Sequence, residues 1–332
     1  MLNFSTLFDS FYLSRGVAMS QSLKQHCKDS HLYIFAFDDI AFDILKKLNL
    51  NNVTVISLNE FETRELSEVK KNRTKAEYCW TCTPSTISYV LNHYHVDSCT
   101  YLDADLFFFS DPAVLVQEML DHNKSVLITE HGFSPLARLY EEKRAGRFCV
   151  QFVTFLNQND SLEVLERWRL QCIDWCYARY EDGKFGDQKY LDEWPITYDN
   201  VHILEHQGGG VAPWNIQKFS FHKDGDAILG KQKDSLKQFQ VVFYHYQYVK
   251  LMKNDVVDIG WYPISRNVKS IFYQSYLDII FKQEEKLINL DQKYQTGITS
   301  FHMDGMKNYC KANFKRVTKY NLLRRKSDGL FS

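Results

Sequence analysis

Two carboxylates two residues apart, Asp103 and Asp105 in Thr100-Tyr-Leu-Asp-Ala-Asp-Leu-Phe-Phe-Phe-Ser-Asp-Pro112, are the strongest chemical signal in this chain. A strand ending at Leu102 would carry both to its carboxyl end, the usual ligand edge of an open α/β sheet. Side chains at i and i+2 share a side. Like charges so close in an apolar frame are costly unless a cation offsets them. Mg²⁺ or Mn²⁺, held by carboxylates and completed by substrate phosphates, meets that need. An acidic turn, with Asp111 capping the next helix, accounts for the same residues without a ligand.

Other segments carry weaker signals. Asp187 in Lys184-Phe-Gly-Asp-Gln-Lys-Tyr-Leu191 reads as the N-cap of a helix beginning at Gln188. Three successive glycines, Gly208 to Gly210, imply close backbone approach in a chain with only 14 Gly. His245 follows an apolar strand, where a histidine is most often a satisfied core residue. Cys79-Trp-Thr-Cys82, even joined by Cys172 and Cys176, lacks the tight paired spacing of zinc sites and reads as buried thiols.

The elements that must position these groups alternate in type. Strands are expected at Asn3–Phe8, Leu32–Phe37, Val53–Ser57, Thr100–Leu102, Ser125–Thr129, Cys149–Leu156, Val201–Leu204 and Gln240–His245. Helices are expected at Ser14–Cys27, at Asp38–Leu48, at Thr83–Asn92 with Pro84 in its first turn, and at Leu162–Tyr180 with Leu165, Trp168 and Cys172 on one face. Such alternation implies a mixed, mostly parallel sheet covered by helices on both faces. From about Ser265 the pattern becomes helical, which divides the chain into residues 1–262 and a C-terminal helical extension, 263–332.

Composition narrows the class. The 332 residues, 45% hydrophobic and 24% charged, are those of a globular protein. A net charge of −1 argues against nucleic-acid binding. That total hides a polarised molecule, because Lys307–Lys326 carries eight basic residues and no acid. The stretch has Cys310, Phe314 and Val317 on one side, as would a helix lying on anionic lipid or one packed on the acidic remainder. No segment has the length of a membrane span, and the opening residues lack the basic start of a secretion signal. A cytoplasmic protein is expected, with peripheral contact at the inner face of the plasma membrane as an option.

Tyr101-Leu-Asp-Ala-Asp105 resembles the DxD motif of GT-A-fold, Rossmann-like nucleotide-diphospho-sugar transferases, nearest to glycosyltransferase family 8 and its bacterial relatives. The resemblance covers roughly residues 1–250. It implies a metal-dependent, retaining transfer of a sugar, with Mn²⁺ (or Mg²⁺) on Asp103, Asp105 and His245. The donor implied is a nucleotide-diphosphate sugar, UDP-sugar favoured. The acceptor would be a glycan or glycolipid hydroxyl, as in glycan or lipopolysaccharide synthesis. Phe4-Ser-Thr-Leu-Phe-Asp-Ser-Phe-Tyr12 is similar to the family's opening strand, which assigns Thr6, Asp9 and Tyr12 to base and ribose. Ala104, within the DxD, and Arg73 and Lys250 are implied on the nucleotide and its phosphates. Arg73, with Lys75, replaces a basic residue whose usual place holds Ser85 and Thr86. Asp187 and Gln188 would serve the donor sugar and the reaction itself. Gln151, Gly209, Trp214 and Asn215 would line the sugar and acceptor side. The family's Asn-x-Gly is absent around Gln151, and the closing His-x-x-Gly-x-x-Lys lacks its Gly and is one residue short at Lys250. A nucleotidyltransferase acting on sugar phosphates, or a non-catalytic carbohydrate- or membrane-surface-binding relative, are the competing readings. The first would carry a Gly-rich basic loop after its first strand, which Asp9–Gly16 is not.

Overall fold

Strand β1 (Leu2–Phe8) is buried along nearly its whole length, as a central parallel strand must be when both faces are covered. The structure, a computed structural model, describes residues 1–233, 235, 237–300, 306–325 and 331; Lys326, in the basic stretch, lies outside them. Helix α1 (Leu13–His26) returns the chain to β2 (Ser30–Ala36), and α2 (Asp39–Leu48) leads to β3 (Val53–Ser57). Two short helices, α3 (Leu58–Phe61) and α4 (Arg64–Lys70), precede the long α5 (Lys75–Tyr94). Then follow β4 (Ser98–Leu102), β5 (Leu106–Phe108), α6 (Ala113–Asp121), β6 (Val126–Glu130), α7 (Pro135–Ala145), β7 (Phe148–Leu156), α8 (Asn159–Asp174), α9 (Trp194–Thr197) and β8 (Val201–Ile203).

The main sheet has the order β3-β2-β1-β4-β7-β6-β8. Only β7 runs against its neighbours, antiparallel to both β4 and β6. One apolar layer, including Phe35, Tyr101, Val153 and Trp168, packs beneath α5 and α8. Another, including Phe4, Leu102, Leu115 and Phe152, packs beneath α1, α2 and α6.

Two helices differ from the sequence expectation. Thr74 caps α5, with Glu77 closing a capping box, so the helix begins well before Thr83 and Pro84 sits inside it. Helix α8 stops at Asp174 because Trp175 is extended, though Trp175 and Cys176 stay buried.

The expected strand Gln240–His245 divides in two. After β9 (Gly209–Val211), β10 (Phe219–Asp224), β11 (Ala227–Gln232) and β12 (Gln238–Gln240), its last residues form β13 (Phe243–His245). Strand β13 lies between β5 and β9 in a second sheet, antiparallel to the first and parallel to the second.

Residues on both sides of position 262 share a third apolar cluster, which includes Tyr244, Tyr246, Phe272 and Tyr276. Strands β14 (Lys250–Met252) and β15 (Val256–Asp258) lead through α10 (Arg266–Val268) to α11 (Gln274–Leu290) and α12 (Met306–Thr318). Strand β16 (Leu322–Arg324) then pairs with β15. Helix α12 docks through the face opposite to the apolar stripe read from sequence. Ala312 and Lys315 are buried, whereas Phe314 and Val317 are 50% and 82% exposed. Lys315 pairs with the buried Asp258 and donates to the Gly260 carbonyl at 2.8 Å.

Candidate functional site

Asp103 and Asp105 follow the last residue of β4, where the main sheet gives way to the second one. The Asp103 amide donates to the Gln151 carbonyl of β7 at 3.1 Å, which fixes the start of the turn. Register between β5 and β13 sets His245 opposite Leu106, and the Tyr246 amide donates to the Asp105 carbonyl at 2.9 Å. A one-residue slip of β13 would turn His245 to the other face. Held in this register, His245 Nε2 lies 3.0 Å from Asp105 Oδ1 and 3.6 Å from Asp103 Oδ2.

Gln151 completes the histidine's setting. Its Oε1 lies 2.8 Å from His245 Nδ1, so a proton on Nδ1 donates there and Nε2 is turned toward the carboxylates. Gln151 is fully buried by this role, and it is therefore turned to the histidine rather than to a sugar hydroxyl. Cys149, two residues earlier on the same face of β7, stands beside Asp103 and His245 with ligand atoms within 4.8 Å of one another.

The electrostatics reflect crowding. Burial would raise the Asp105 carboxyl, but His245 and the Arg15 guanidinium outweigh it and hold it below the usual range. Burial would lower His245, but Asp105 and then Asp103 drive it well above the ordinary histidine value. Asp103 keeps 30% of its side chain exposed yet is pushed up to about 6, by burial and by the Asp105 charge against the opposing pull of His245. Asp187, 5% exposed, is pushed up to about 8 by burial and by the charge of Asp103. Its carboxyl lies near the Thr83 side chain of α5, and its carbonyl accepts from Trp168 Nε1 at 2.8 Å. The imidazolium thus does the neutralising that a cation would otherwise do. Two carboxylates and an imidazole with its distal nitrogen already engaged form a donor set that fits a divalent ion.

The remaining expected residues divide. Tyr12 and Asp9 lie on the turn after β1; Tyr12 is close enough to Asp105 to feel its charge, and Asp9 Oδ1 accepts from the Phe11 amide. Thr6 is buried in β1, with its hydroxyl unpaired. Ala104 is buried between the two acids. Gln188 Nε2 donates to the Ala145 carbonyl at the end of α7.

Trp214 packs edge-on against His245 with ring centroids 5.2 Å apart, and its Nε1 donates to the His131 carbonyl. Asn215 spends its amide on the backbone of His131, Gly210 and Ala212, so it shapes the loop rather than facing an acceptor. Gly209 is likewise structural. A Cβ there would meet Leu204 and Leu115 at 2.6 and 2.8 Å, and one at Gly208 would meet the Gln240 carbonyl at 1.9 Å. The close approach predicted for these glycines is to protein.

Arg73 and Lys250 make contacts of their own. Arg73 donates to the carbonyls of Ile173 and Asp174 and stacks on Tyr177 at 3.8 Å. Lys75, the first residue of α5, is the cation whose charge reaches Asp9. Lys250 is exposed, with its ammonium 4.5 Å from the Tyr248 ring centroid.

Sequence reasoning missed Arg15 and Cys149. Arg15 is 2% exposed and donates to the Phe11 and Val249 carbonyls, tying α1 to the segment after His245. His131 is held neutral by burial, pushed down to about 3. Nothing local marks Arg15 or Cys149, since each meets its distant partners only through the long-range order of the fold.

This arrangement is the GT-A fold. The galactosyltransferase LgtC, solved with donor and acceptor sugar analogues, superposes with a TM-score of 0.51 over 85% of this chain and 96% of that one, at 11% identity. No family model matches the sequence. The chain belongs to the same family as the uncharacterized protein YfnD of Bacillus subtilis (strain 168), with 32% identity over 264 residues, 78% of this chain and 82% of YfnD. YfnF of the same organism is 28% identical over 305 residues, 88% of this chain and 94% of its own.

Proposed function

We propose that this protein is a metal-dependent glycosyltransferase that moves a sugar from a nucleotide-diphosphate donor, UDP-sugar first among them, to a hydroxyl of a glycan or glycolipid. The observation that carries this reading is the convergence of Asp103, Asp105 and His245 at the edge of a GT-A sheet. Those three would hold Mn²⁺ or Mg²⁺, which when bound supplies positive charge to a departing diphosphate.

The chain's own residues do the rest. Tyr12 and Asp9 flank the place of the base and ribose, and Lys75 adds positive charge on that side. Asp187, kept protonated near neutral pH, offers a hydroxyl proton to a sugar oxygen beside Asp103. Trp214 and His131 wall off water behind His245. Retention of anomeric configuration follows from the family 8 likeness.

Contact with anionic membrane fits the outward face of α12. There Phe314 stacks on the half-exposed Trp261 at 6.0 Å among Lys311, Arg316 and Lys319. Among the described residues no helix is long and apolar enough to cross a membrane, and a peripheral place at the cytoplasmic leaflet is the localisation we propose.

Thermal-shift screening of UDP, GDP, CMP and CDP, each with and without Mn²⁺, tests the core of this reading. A stabilisation by one diphosphate that requires Mn²⁺ and disappears in Asp103→Asn is expected. Equal stabilisation in Asp103→Asn, or none with any nucleotide, overturns it.

A further inference from the structure

We infer that Cys149 is a fourth protein donor to the divalent ion, which makes this a thiolate-containing site ranking Zn²⁺ and Co²⁺ further above Mn²⁺ and Mg²⁺ than carboxylates and imidazole alone would. The inference rests on the reading of Asp103, Asp105 and His245 as a metal centre. The three ligand atoms of Asp103, Cys149 and His245 lie within 4.8 Å of one another. A zinc–sulfur and a zinc–nitrogen bond together span about 4.4 Å, so one ion could touch all three after side-chain movements of roughly 1 Å.

Strand geometry explains why the thiol is there. Cys149 and Gln151 alternate onto one face of β7, and the latter holds His245 by Nδ1. The same strand therefore supplies one residue that orients the imidazole and another that stands beside it. The Cys149 carbonyl accepts from Thr129 Oγ1 at 3.1 Å, which anchors this end of β7 to β6. The thiol is 5% exposed and walled from bulk water. The other seven cysteines join no such group among the described residues.

Binding breaks the S–H bond, forms a metal–sulfur bond and releases the proton to solvent. Hard ions prefer oxygen and leave a thiolate aside, whereas borderline ions take it. With four protein donors in place a tetrahedral ion has no open position, as in structural zinc sites. Zn²⁺ would then occupy the centre without leaving room for a diphosphate, and the hard ions would keep that room.

Cobalt alone is the probe. The full-length protein, reduced with a phosphine and titrated with CoCl₂, should show a near-ultraviolet thiolate-to-cobalt charge-transfer band together with weak visible d–d bands. In Cys149→Ser the charge-transfer band should vanish and the d–d bands persist. In Cys310→Ser, which alters the exposed thiol, both should remain. Competition against a chelator should show Zn²⁺ affinity falling at least about tenfold in Cys149→Ser, with a smaller change for Mn²⁺. Unchanged far-ultraviolet circular dichroism and apo melting would establish that the variant folds. Cobalt d–d bands without a charge-transfer band in the wild type, or a band that survives Cys149→Ser, overturn the inference and leave the metal centre standing. No cobalt binding that depends on Asp103 overturns both.

Discussion

Replacing Asp187 by Asn should stabilise the metal-free protein at alkaline pH while removing a group proposed for transfer. Burial and the neighbouring Asp103 charge push the native Asp187 carboxyl up to about 8, against an ordinary value of 3.8. Between those two values the native protein keeps a proton that the unfolded chain has lost. Stability therefore falls as pH rises across that interval, by up to ~1.4 kcal/mol for each pH unit. Accumulated over the whole span this approaches ~6 kcal/mol, a large part of the ~5–15 kcal/mol by which domains are stable. Asparagine has nearly the same shape and no proton to lose, so the variant lacks this slope. Urea unfolding in the presence of a chelator, at several values from about pH 4 to about pH 9, reads the difference directly. The two proteins should be nearly equal at the acid end and diverge toward the alkaline end, with the variant more stable. A constant difference across the range would refute the reasoning, because Asp187 would then titrate alike in both states. Saturating Mn²⁺ should shrink the divergence, since a cation beside Asp103 offsets the charge that raises Asp187.

Lys315→Met should destabilise the protein by ~3–5 kcal/mol, because it leaves Asp258 charged, buried and unpaired; the double variant with Asp258→Asn should recover part of that loss in the same urea titration. Gly208→Ala should lower the melting temperature, since its new methyl would lie 1.9 Å from the Gln240 carbonyl and backbone cannot yield as a side chain can. Gly16→Ala should cost ~1–3 kcal/mol in chemical unfolding, since its Cβ would fall 2.3 Å from the Phe8 ring between α1 and β1.

The main sheet was legible because its strands are long apolar runs separated by amphipathic helices. Val53–Ser57 was read to the residue, and β1, β2, β6, β7 and β8 to within a residue or two at each end. The two acids and His245 were legible through residue type, order and family likeness, and the structure brings them together. The second sheet was not. Strands β5, β9 and β13 are three residues each, too short for alternation to register, and they are defined by partners far away in sequence. The same cause hid Cys149 and the true place of Gln151, since which face of β7 meets His245 depends on that second sheet. Pro84 misled because a proline usually marks a helix start, whereas the Thr74–Glu77 capping box three turns earlier was the stronger signal. On α12 periodicity identified an apolar stripe, but a buried ion pair at Lys315 decided which face docks.

The pairing of β5 with β13 has a consequence for how the chain is made. Leu106 and its partner His245 are separated by well over a hundred residues, which a ribosome takes on the order of 10 s to deliver. Throughout that interval Asp103 and Asp105 lack their imidazole, and the Leu106–Phe109 run has no strand beside it. The nascent protein therefore presents a bare aromatic edge next to two unneutralised acids. That edge is a template for wrong pairing and an early claim on chaperones, and the protein carries it because the pocket of Asp103 and Asp105 is closed by a strand made late.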